Sequence, residues 1–593
     1  MKKIKIITAI CSFLLVQVIM SADNVPYEMA ENVARHFFGM SCDTRSSADN
    51  VYLICTSDDT TTKSTAGTSF YVFGRQEESG FVIISGEDSV APILGYSLEG
   101  TYNEKQLPVN LEWWLEELKT EILEMRQTGP KASSEVTKQW ELFLSGSTLK
   151  TKSSSSVLLE TAKWNQDDPY NKKCPNLNGQ KAYAGCVTAS LAIMMRYYKW
   201  PKKGSGYLES YEFTDDNGIT RTVKGHSIDD HYYNWNNMPL IFEDYTQEQE
   251  DEIVQLMWDL AVMLKMQFNK DGSGGYLMDG LIGLIDHMQY DTGMSLYGRS
   301  MFDAKEWRRM IIECLDNGDP VWYSGKSNTS GHAFVIDGYD EYGLFHINWG
   351  WGGSHDGYFS MPNLLSYRYM HYACFGLKKY EGNSPVDMMA LSYGSNGLEI
   401  VNDVKVEQGV PFTVRYDGVY NAGLSEYNGE VALMTIDRSG NIKEYLKNAI
   451  TIKNLKPNYG WFSERIIEDC TITLPIEIGD RLKLFYSSGS GPEKEWKPVM
   501  SFYGNAVDEI PIADSYYIEE VTDFEYLDEE EIAILHTKPD ASVTLFDVGK
   551  NKLCDNYTFE NGEIRIFMAD LEEGLYRLRI EKGTDVKILE LKK

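Results

Sequence analysis

The stretch Ala184-Gly185-Cys186-Val187-Thr188-Ala189-Ser190 decides how the rest of this chain is interpreted. It places a thiol among small residues at the start of an apolar segment, which predicts a helix running to about Lys199, before Pro201. Much later comes Gly331-His332-Ala333-Phe334, and Asn348-Trp349-Gly350-Trp351-Gly352-Gly353 follows it closely. A Cys with a His and an Asn about 130–150 residues downstream is a known arrangement for a catalytic thiol.

Each of these residue types suits one part of a nucleophilic mechanism. Cys186 would be the nucleophile, because the positive end of a helix dipole favours the thiolate. His332 would be the base, and Asn348 would accept its ring N–H, fixing the tautomer without adding charge. Trp349 would keep water from that hydrogen bond. Gln166 and the backbone N–H of Cys186 would form the oxyanion hole.

Each residue also has an ordinary structural interpretation. A Cys is more often a buried small hydrophobe than a nucleophile, and a single His is more often a core or surface residue than a base. Asn348 alone would indicate a turn, and Gln166 alone a loop. The order of all four residues along the chain reverses the preference and favours catalysis.

Two rival kinds of site are not favoured. His332, His346 and His355 suggest a metal centre, but the first two fall on different predicted strands and no acidic residue has a typical ligand spacing. The run Asp271-Gly272-Ser273-Gly274-Gly275 lacks the Lys-Ser/Thr pair of a phosphate-binding loop. We therefore expect no metal or cofactor, and a flexible lip at the glycine-rich run.

The bulk composition indicates several globular domains. The chain has 593 residues, of which 42% are hydrophobic and 24% charged, and this is typical of folded domains rather than disorder. The formal net charge of −32 argues against nucleic acid as a partner, because phosphate binding needs a cationic surface.

The N-terminus predicts export. Residues 1–5 are rich in Lys, residues 6–20 are almost wholly apolar, and Ser21-Ala22 supplies small residues. This pattern is typical of a secretory signal at residues 1–22. The apolar run is shorter than the ~20 residues of a membrane-spanning helix, and we expect no later span.

The order of predicted elements indicates an α+β fold with appended β-domains. Residues 23–152 are expected to form a small α+β unit, with Asn110 as the N-cap of a helix over 110–125, and a Ser-rich linker near its end. Residues 153–382 carry the catalytic motifs. Alternating segments with turns between them predict a β-sandwich over 383–512 and a last β-rich unit over 513–593.

The cysteines predict little cross-linking. Eight are left once the signal is removed, and they are dispersed along the chain. The sequence leaves open whether Cys42 pairs with Cys55, and whether Cys174 pairs with a neighbour, in a disulfide. A catalytic Cys186, in contrast, must be unpaired.

The chain carries a series of motifs in a fixed order. They are Trp164-Asn165-Gln166, Pro169-Tyr170-Asn171, Gly185-Cys186-Val187, Tyr197-Tyr198-Lys199-Trp200-Pro201, the segment from Gly331 to Tyr339, and the segment from Phe345 to Gly353. Together they resemble the streptopain family of papain-like cysteine peptidases.

The resemblance implies a papain-like core of two subdomains, an inhibitory pro-domain over residues 23–152, and an exported bacterial zymogen cleaved near Lys150 or Lys152. It also implies a substrate cleft lined by Gly331, Ser273 and Trp349. The resemblance to streptopain ends near Tyr380. Beyond it, residues 383–512 resemble the Ig-like modules, and residues 513–593 a secretion-sorting module, that are appended to related bacterial surface proteins.

The sequence thus predicts a secreted cysteine endopeptidase, made as a zymogen, that acts on proteins or peptides and is inhibited by its own pro-domain. Two alternatives stay open. One is acyl transfer to amines, although transglutaminases usually pair His with Asp rather than with Asn. The other is a non-catalytic surface adhesion protein on a degenerate peptidase fold, against which the intact set of four residues speaks.

Overall fold

The computed structural model describes most of the chain between residues 24 and 592. The predicted signal at residues 1–22, Cys42 and the predicted cleavage sites at Lys150 and Lys152 lie outside the described residues. Those described are 24–41, 50–57, 67–75, 79–128, 132–146, 156–302, 304–326, 331–361, 371–383, 385–477, 479–488, 494–503, 506–512, 525–527, 532–536, 542–547, 552–554, 557–560, 563–568, 571, 574–582 and 585–592.

The described residues of the N-terminal unit form a meander of four antiparallel strands with three α-helices. This mixture of helices and strands is the α+β composition expected of the region. Its elements are α1 (Tyr27–Ser41), β1 (Val51–Thr56), β2 (Phe70–Arg75), β3 (Phe81–Ser85), β4 (Ile93–Ser97), α2 (Val109–Thr128) and α3 (Ser134–Ser145).

The middle region combines a helical half with a sheet half. Its helices are α4 (Cys186–Tyr198), α5 (Gln247–Met263), α6 (Leu277–Met288) and α7 (Ala304–Asp316). Its strands are β5 (Val157–Leu158), β6 (Asn176–Leu177), β7 (Gln180–Lys181), β8 (Tyr207–Leu208), β9 (Tyr211–Thr214), β10 (Thr220–Val223), β11 (His226–Ser227), β12 (Ser295–Gly298), β13 (Val321–Lys326), β14 (Gly331–Tyr339), β15 (Phe345–Asn348), β16 (Gly357–Phe359) and β17 (His371–Phe375).

One antiparallel sheet of eleven strands joins the N-terminal unit to the middle region. Its order is β1-β2-β3-β4-β16-β15-β14-β13-β17-β12, and β5 also pairs with β14. The junction is the β4–β16 pair, where Tyr96 lies opposite Tyr358 and Gly95 opposite Phe359. The N-terminal unit is therefore held by main-chain hydrogen bonds as well as by side chains.

Helix α4 lies between the two halves of the middle region. One core contains the apolar side chains of α4, α5 and α6, among them Leu191, Leu260 and Leu284. A second core lies against the sheet and shares residues with the N-terminal unit, including Trp114 beside Phe334 and Trp349. This α+β arrangement of a helical half against a sheet half agrees with the predicted two-subdomain fold.

The described residues beyond 385 lie mainly in β-strands and the turns between them, as the alternating pattern predicted. Residues 385–512 form sheets around a core that includes Val414, Val431 and Leu484. Their strands are β18 (Met389–Leu391), β19 (Leu398–Ile400), β20 (Phe412–Tyr416), β21 (Val419–Asn421), β22 (Tyr427–Ile436), β23 (Ile442–Leu455), β24 (Gly460–Trp461), β25 (Arg465–Cys470), β26 (Arg481–Ser488), β27 (Glu495–Pro498), β28 (Met500–Ser501) and β29 (Glu509–Pro511).

The last unit has two four-stranded sheets. Its core includes Leu545, Ile564 and Leu578. The strands are β30 (Glu525–Leu527), β31 (Ile532–His536), β32 (Ser542–Asp547), β33 (Lys552–Cys554), β34 (Tyr557–Glu560), β35 (Glu563–Phe567), β36 (Leu575–Lys582) and β37 (Asp585–Lys592).

Cys55 and Cys174 are free thiols, so neither disulfide considered from the sequence is formed by them. Among the described residues, none of the helices has the length and apolar character needed to cross a membrane.

Candidate active site

Cys186 is the first residue of α4, and the residue before it must be glycine. Gly185 has φ 94° and serves as N-cap without a capping side chain. A Cβ there would lie 2.4 Å from Met266 Cε and 2.6 Å from the Ser273 carbonyl oxygen. The first N–H groups of α4 therefore stay available, and together with the helix dipole they favour negative charge beside the thiol.

The thiol of Cys186 faces strand β14. The backbone N–H of Ala333, the neighbour of His332, donates to Cys186 Sγ at 3.4 Å. Burial raises the pKa of Cys186 above its ordinary value, so the thiol is protonated in this conformation. Ser190 Oγ donates to the Cys186 carbonyl oxygen, and Trp322 Nε1 donates to Ser190 Oγ, which ties the first turn of α4 to the sheet.

His332 lies on the neighbouring position of β14 but makes no bond to the thiol. Its Nε2 is buried and has no hydrogen-bond partner among the described residues. Burial lowers the pKa of His332 to about 4, so the ring is neutral at pH 7. The sequence-predicted pair is brought to one place by α4 and β14, but as a neutral thiol and a neutral imidazole rather than as an ion pair.

A tryptophan of the N-terminal unit occupies the space beside His332. The ring centroids of Trp113 and His332 are 5.9 Å apart, and Trp113 also lies 5.6 Å from His371. Gly325 pairs with His332 across β13 and β14, and a Cβ at Gly325 would come within 2.2 Å of Trp113. The sheet thus leaves a gap above His332 that α2 fills.

Asn110 is not the N-cap of α2, because the helix begins one residue earlier at Val109. Its fully buried side chain instead reaches the site. Its Nδ2 donates to the carbonyl oxygens of Trp349 at 2.8 Å and Ala333 at 3.3 Å, and Trp351 Nε1 donates to its Oδ1 at 2.6 Å. One amide of the N-terminal unit therefore bridges the strand of His332 and the loop after Asn348.

Asn348 is the last residue of β15 and lies opposite Val335. Its side-chain amide already makes hydrogen bonds to other groups. Its Nδ2 donates to Thr161 Oγ1 and to the Ala162 carbonyl, each at 3.0 Å, and its Oδ1 accepts from the Gly350 N–H at 3.1 Å. The expected hydrogen bond from His332 is not among those that the Asn348 amide makes in this conformation. The role of Asn348 stays a prediction for the form without α2.

Gln166 lies beside the segment that leads into Cys186. Its carbonyl accepts from the Ala184 N–H at 2.9 Å, and its side-chain Nε2 donates to the Gly350 carbonyl at 3.3 Å. The side chain is buried. In this conformation the amide is directed to Gly350, so a role in an oxyanion hole requires it to change partner.

The three residues predicted to line the cleft differ in position. Gly331 is exposed at the start of β14, next to His332. Ser273 is buried, and its hydroxyl donates to the Tyr183 carbonyl at 2.6 Å, so it supports the loop at Gly185. Trp349 is fully buried, with Trp114 of α2 packed edge-on against it at 6.0 Å. Substrate contact by the Ser273 hydroxyl or the Trp349 ring is not available in this conformation.

The rival metal centre of His332, His346 and His355 is not formed. His346 Nδ1 is 2.5 Å from Asp337 Oδ1, and His355 Nε2 accepts from the Asn103 N–H of the N-terminal unit at 3.2 Å. His346 and His355 are therefore engaged with different partners, and His332 with neither of them.

Sequence reasoning missed the contributions of Asn110, Trp113 and Thr161. The pair Trp113-Trp114 within an amphipathic helix was the signal available for α2, because aromatic side chains dominate buried interfaces. Nothing local marks Thr161, whose hydroxyl meets Asn348 across a separation of 187 residues.

Comparison with known proteins places these features in context. Residues 164–359 match the peptidase C10 family, and residues 22–122 match the Spi protease inhibitor family. The thiol protease/hemagglutinin PrtT of Porphyromonas gingivalis is 32% identical over 362 residues, which is 58% of this chain and 40% of that protein. Streptopain of Streptococcus pyogenes is 28% identical over 319 residues, which is 50% of this chain and 75% of streptopain.

A solved structure is also similar. A fragment of Prevotella intermedia prointerpain A is 25% identical, and the match covers 56% of this chain and all of that fragment, with a TM-score of 0.45. The chain spans less than half the length of PrtT.

Proposed function

We propose that this chain, whose residues 164–359 match the peptidase C10 family, is a cysteine endopeptidase made as an inactive precursor. The observation that carries the proposal is the meeting of Cys186 at the start of α4 with the strand of His332, while Asn110 and Trp113 lie against that strand. The match of residues 22–122 to protease inhibitors supports an inhibitory role for α2.

Removal of α2 allows Cys186 and His332 to form the catalytic ion pair. Without Trp113, the His332 ring gains room and water, its pKa rises toward the ordinary value of about 6.5, and it can take the proton of Cys186. The N-terminus of α4 favours the resulting thiolate. Asn348 then orients the imidazolium by accepting its ring N–H.

Hydrolysis proceeds through an acyl-enzyme. The Cys186 thiolate attacks the scissile carbonyl carbon, a C–S bond forms, and the oxyanion is held by the Cys186 backbone N–H and by Gln166. The C–N bond breaks as His332 gives its proton to the leaving amine. His332 then takes a proton from water, the hydroxide attacks the thioester, and the C–S bond breaks to release the acid and the thiolate.

The precursor is proposed to be exported and cut between α3 and β5. The order is a signal at residues 1–22, a pro-domain over 23–152, a peptidase domain over 153–382, an Ig-like sandwich over 383–512 and a last β-rich unit. We further propose a bacterial, secreted location and protein or peptide substrates. N-terminal sequencing of the secreted chain before and after maturation tests these boundaries.

The activity is tested with casein and with a thiol-reactive epoxide. Purified chain is followed by intact mass and by casein cleavage, beside the Cys186→Ala variant and a Cys174→Ala control that removes a buried thiol elsewhere. We expect mass addition at Cys186 only after maturation, and no cleavage by Cys186→Ala. Casein cleavage by pure Cys186→Ala, or epoxide addition only at other thiols, would refute the proposal.

A further inference from the structure

Away from the candidate active site, two histidines and an aspartate converge in the helical half. His226 lies on β11, His231 in the loop after it, and Asp259 on α5. Their ligand atoms all lie within 4.8 Å of one another. His226 Nε2 is 2.8 Å from Asp259 Oδ1 and His231 Nδ1 is 2.7 Å from Oδ2, while Tyr233 Oη donates to Oδ2 at 3.0 Å.

The carboxylate of Asp259 faces no permanent positive charge among the described residues. Asp259 is fully buried, and within the described part of the chain its ion pairs are only with the two histidines, not with Lys or Arg. A buried carboxylate is costly unless it is paired or coordinates a metal. The donors around it are a phenol and two imidazoles, so a bound cation would complete the site.

The donor set selects the class of cation. Two imidazole nitrogens and one carboxylate oxygen are ligands that Zn²⁺ accepts, whereas Ca²⁺ and Mg²⁺ prefer oxygen ligands throughout. The side chains of His226 and His231 are 24% and 26% exposed. Each ring can therefore carry its proton on the outer nitrogen and leave the inner lone pair for a metal, with no change of charge. Tyr233 would orient the carboxylate from outside the ligand set.

We propose that His226, His231 and Asp259 bind one Zn²⁺ ion, with water completing a four-coordinate site. The ion would fasten the β8–β11 hairpin and the following loop to α5. Soon after its end, α5 leads to Met266, whose methyl group packs against Gly185 beside Cys186. The site would therefore stabilise the part of the helical half that packs beside the nucleophile. This proposal does not depend on the proposed peptidase activity.

The test uses the full-length Cys186→Ala chain, so that the candidate nucleophile does not compete for metal. The protein is treated with EDTA, dialysed, and titrated with Zn²⁺ against a chromophoric chelator, and metal content is measured by mass spectrometry. We expect one Zn²⁺ per chain, an increase in melting temperature, and the visible absorption bands of four-coordinate Co²⁺ when cobalt replaces zinc.

Matched variants assign the ligands. His226→Gln and His231→Gln keep a donor to Asp259, so the metal-free fold should persist, as circular dichroism will show. Each should bind Zn²⁺ about tenfold or more weakly. His287→Gln changes a histidine of the same half outside the cluster and should bind like the parent.

Three results would overturn the proposal. They are the absence of Zn²⁺ binding by the parent, affinity unchanged in both His226→Gln and His231→Gln, or an equal loss in His287→Gln. If the histidine variants do not fold, X-ray absorption on the zinc-loaded parent decides instead. Imidazole scattering with nitrogen and oxygen ligands supports the site, and sulfur ligands reject it.

Discussion

At the scale of the residue, Gly185 shows how closely the nucleophile is fitted. Its φ is positive, and a Cβ at this position would lie only 2.4 Å from Met266 Cε, so there is no room for a side chain. Gly179 has a similar φ of 91°, but a Cβ there would meet nothing within 4 Å. Substituting each of the two glycines in turn therefore distinguishes the cost of backbone strain from the cost of steric conflict beside Cys186.

We expect Gly185→Ala to abolish most activity and to lower the melting temperature more than Gly179→Ala does. Both variants place Ala in a strained backbone region at about 1–3 kcal/mol, but only the first also pushes Met266 and the Ser273 loop away from the thiol. Thermal melting and casein cleavage of both matured variants give the comparison. Equal losses would show that strain alone, and not the close packing, makes Gly185 necessary.

The neutral state of His332 predicts a pH dependence of the precursor. Its pKa is about 4 in the folded precursor and about 6.5 when unfolded, so the unfolded chain binds the proton first as pH falls. The precursor should therefore lose stability between about pH 6.5 and 4, with up to roughly 2–3 kcal/mol due to this residue.

Urea unfolding of Cys186→Ala and Cys186→Ala/His332→Gln precursors at several pH values measures that contribution. The Gln variant should lose less stability on acidification than its parent, because Gln takes up no proton. Asp340 and Asp356, whose pKa values burial raises to about 6 and about 7, act in the opposite direction but are present in both proteins. Parallel pH profiles for the two proteins would contradict the assignment.

At the scale of the element, the sequence predicted strands and helices where the local pattern was strong. The helix expected to run from Cys186 to about Lys199 is α4, which ends at Tyr198. Helix α7 was missed, although Trp307, Ile311 and Leu315 repeat every four residues and are its buried side chains. The apolar periodicity is present in the sequence, but it is difficult to recognise among the many charged residues of this helix.

The site was predicted less completely because its missing parts are distant in sequence. Cys186 and His332 could be named from motifs, but the conformation of His332 depends on Trp113, and the bond from Asn110 to Trp349 spans 239 residues. A polar residue near a helix start usually caps it. Only the folded structure shows that Asn110 instead satisfies carbonyls of the peptidase region.

Helix α2 should therefore inhibit through Asn110 as well as through its tryptophans. In Asn110→Ala, two carbonyls lose a donor and Trp351 Nε1 loses its acceptor, which should weaken docking by about 1–3 kcal/mol. We expect the precursor to mature roughly tenfold faster, while the matured enzyme, which lacks residue 110, keeps its normal activity. Time courses of maturation by gel and casein cleavage give both values.

Asn103→Ala is the matched control for this prediction. Its side chain accepts from the Lys105 N–H and donates to Gln106 within the same unit, so its loss should leave maturation unchanged. The role of Asn110 is wrong if both variants mature at the parental rate, or if both accelerate equally.

At the scale of the whole molecule, the β-strand region over residues 385–512 is packed against the peptidase region rather than tethered to it. Tyr372 stacks on Phe502 with ring centroids 5.6 Å apart and an interplanar angle of 13°, and Ser300 Oγ donates to the Phe502 carbonyl at 2.8 Å. Tyr420 and Phe502 belong to the same buried cluster as α4 and α5. The boundary near residue 383 is thus a change of architecture within a continuous core.

We predict that this packing stabilises the peptidase region itself. Phe502 is 3% exposed, and Phe502→Ala should cost about 3–5 kcal/mol, as truncation of a core Phe does. Phe462 is 61% exposed in the same β-strand region, so Phe462→Ala should change stability by less than about 1 kcal/mol. The temperature at which casein cleavage is lost reports directly on the stability of the peptidase region. If Phe502→Ala lowered only the melting temperature of the β-strand region and left the inactivation temperature unchanged, the two regions would be independent. The shared core would then have no functional consequence.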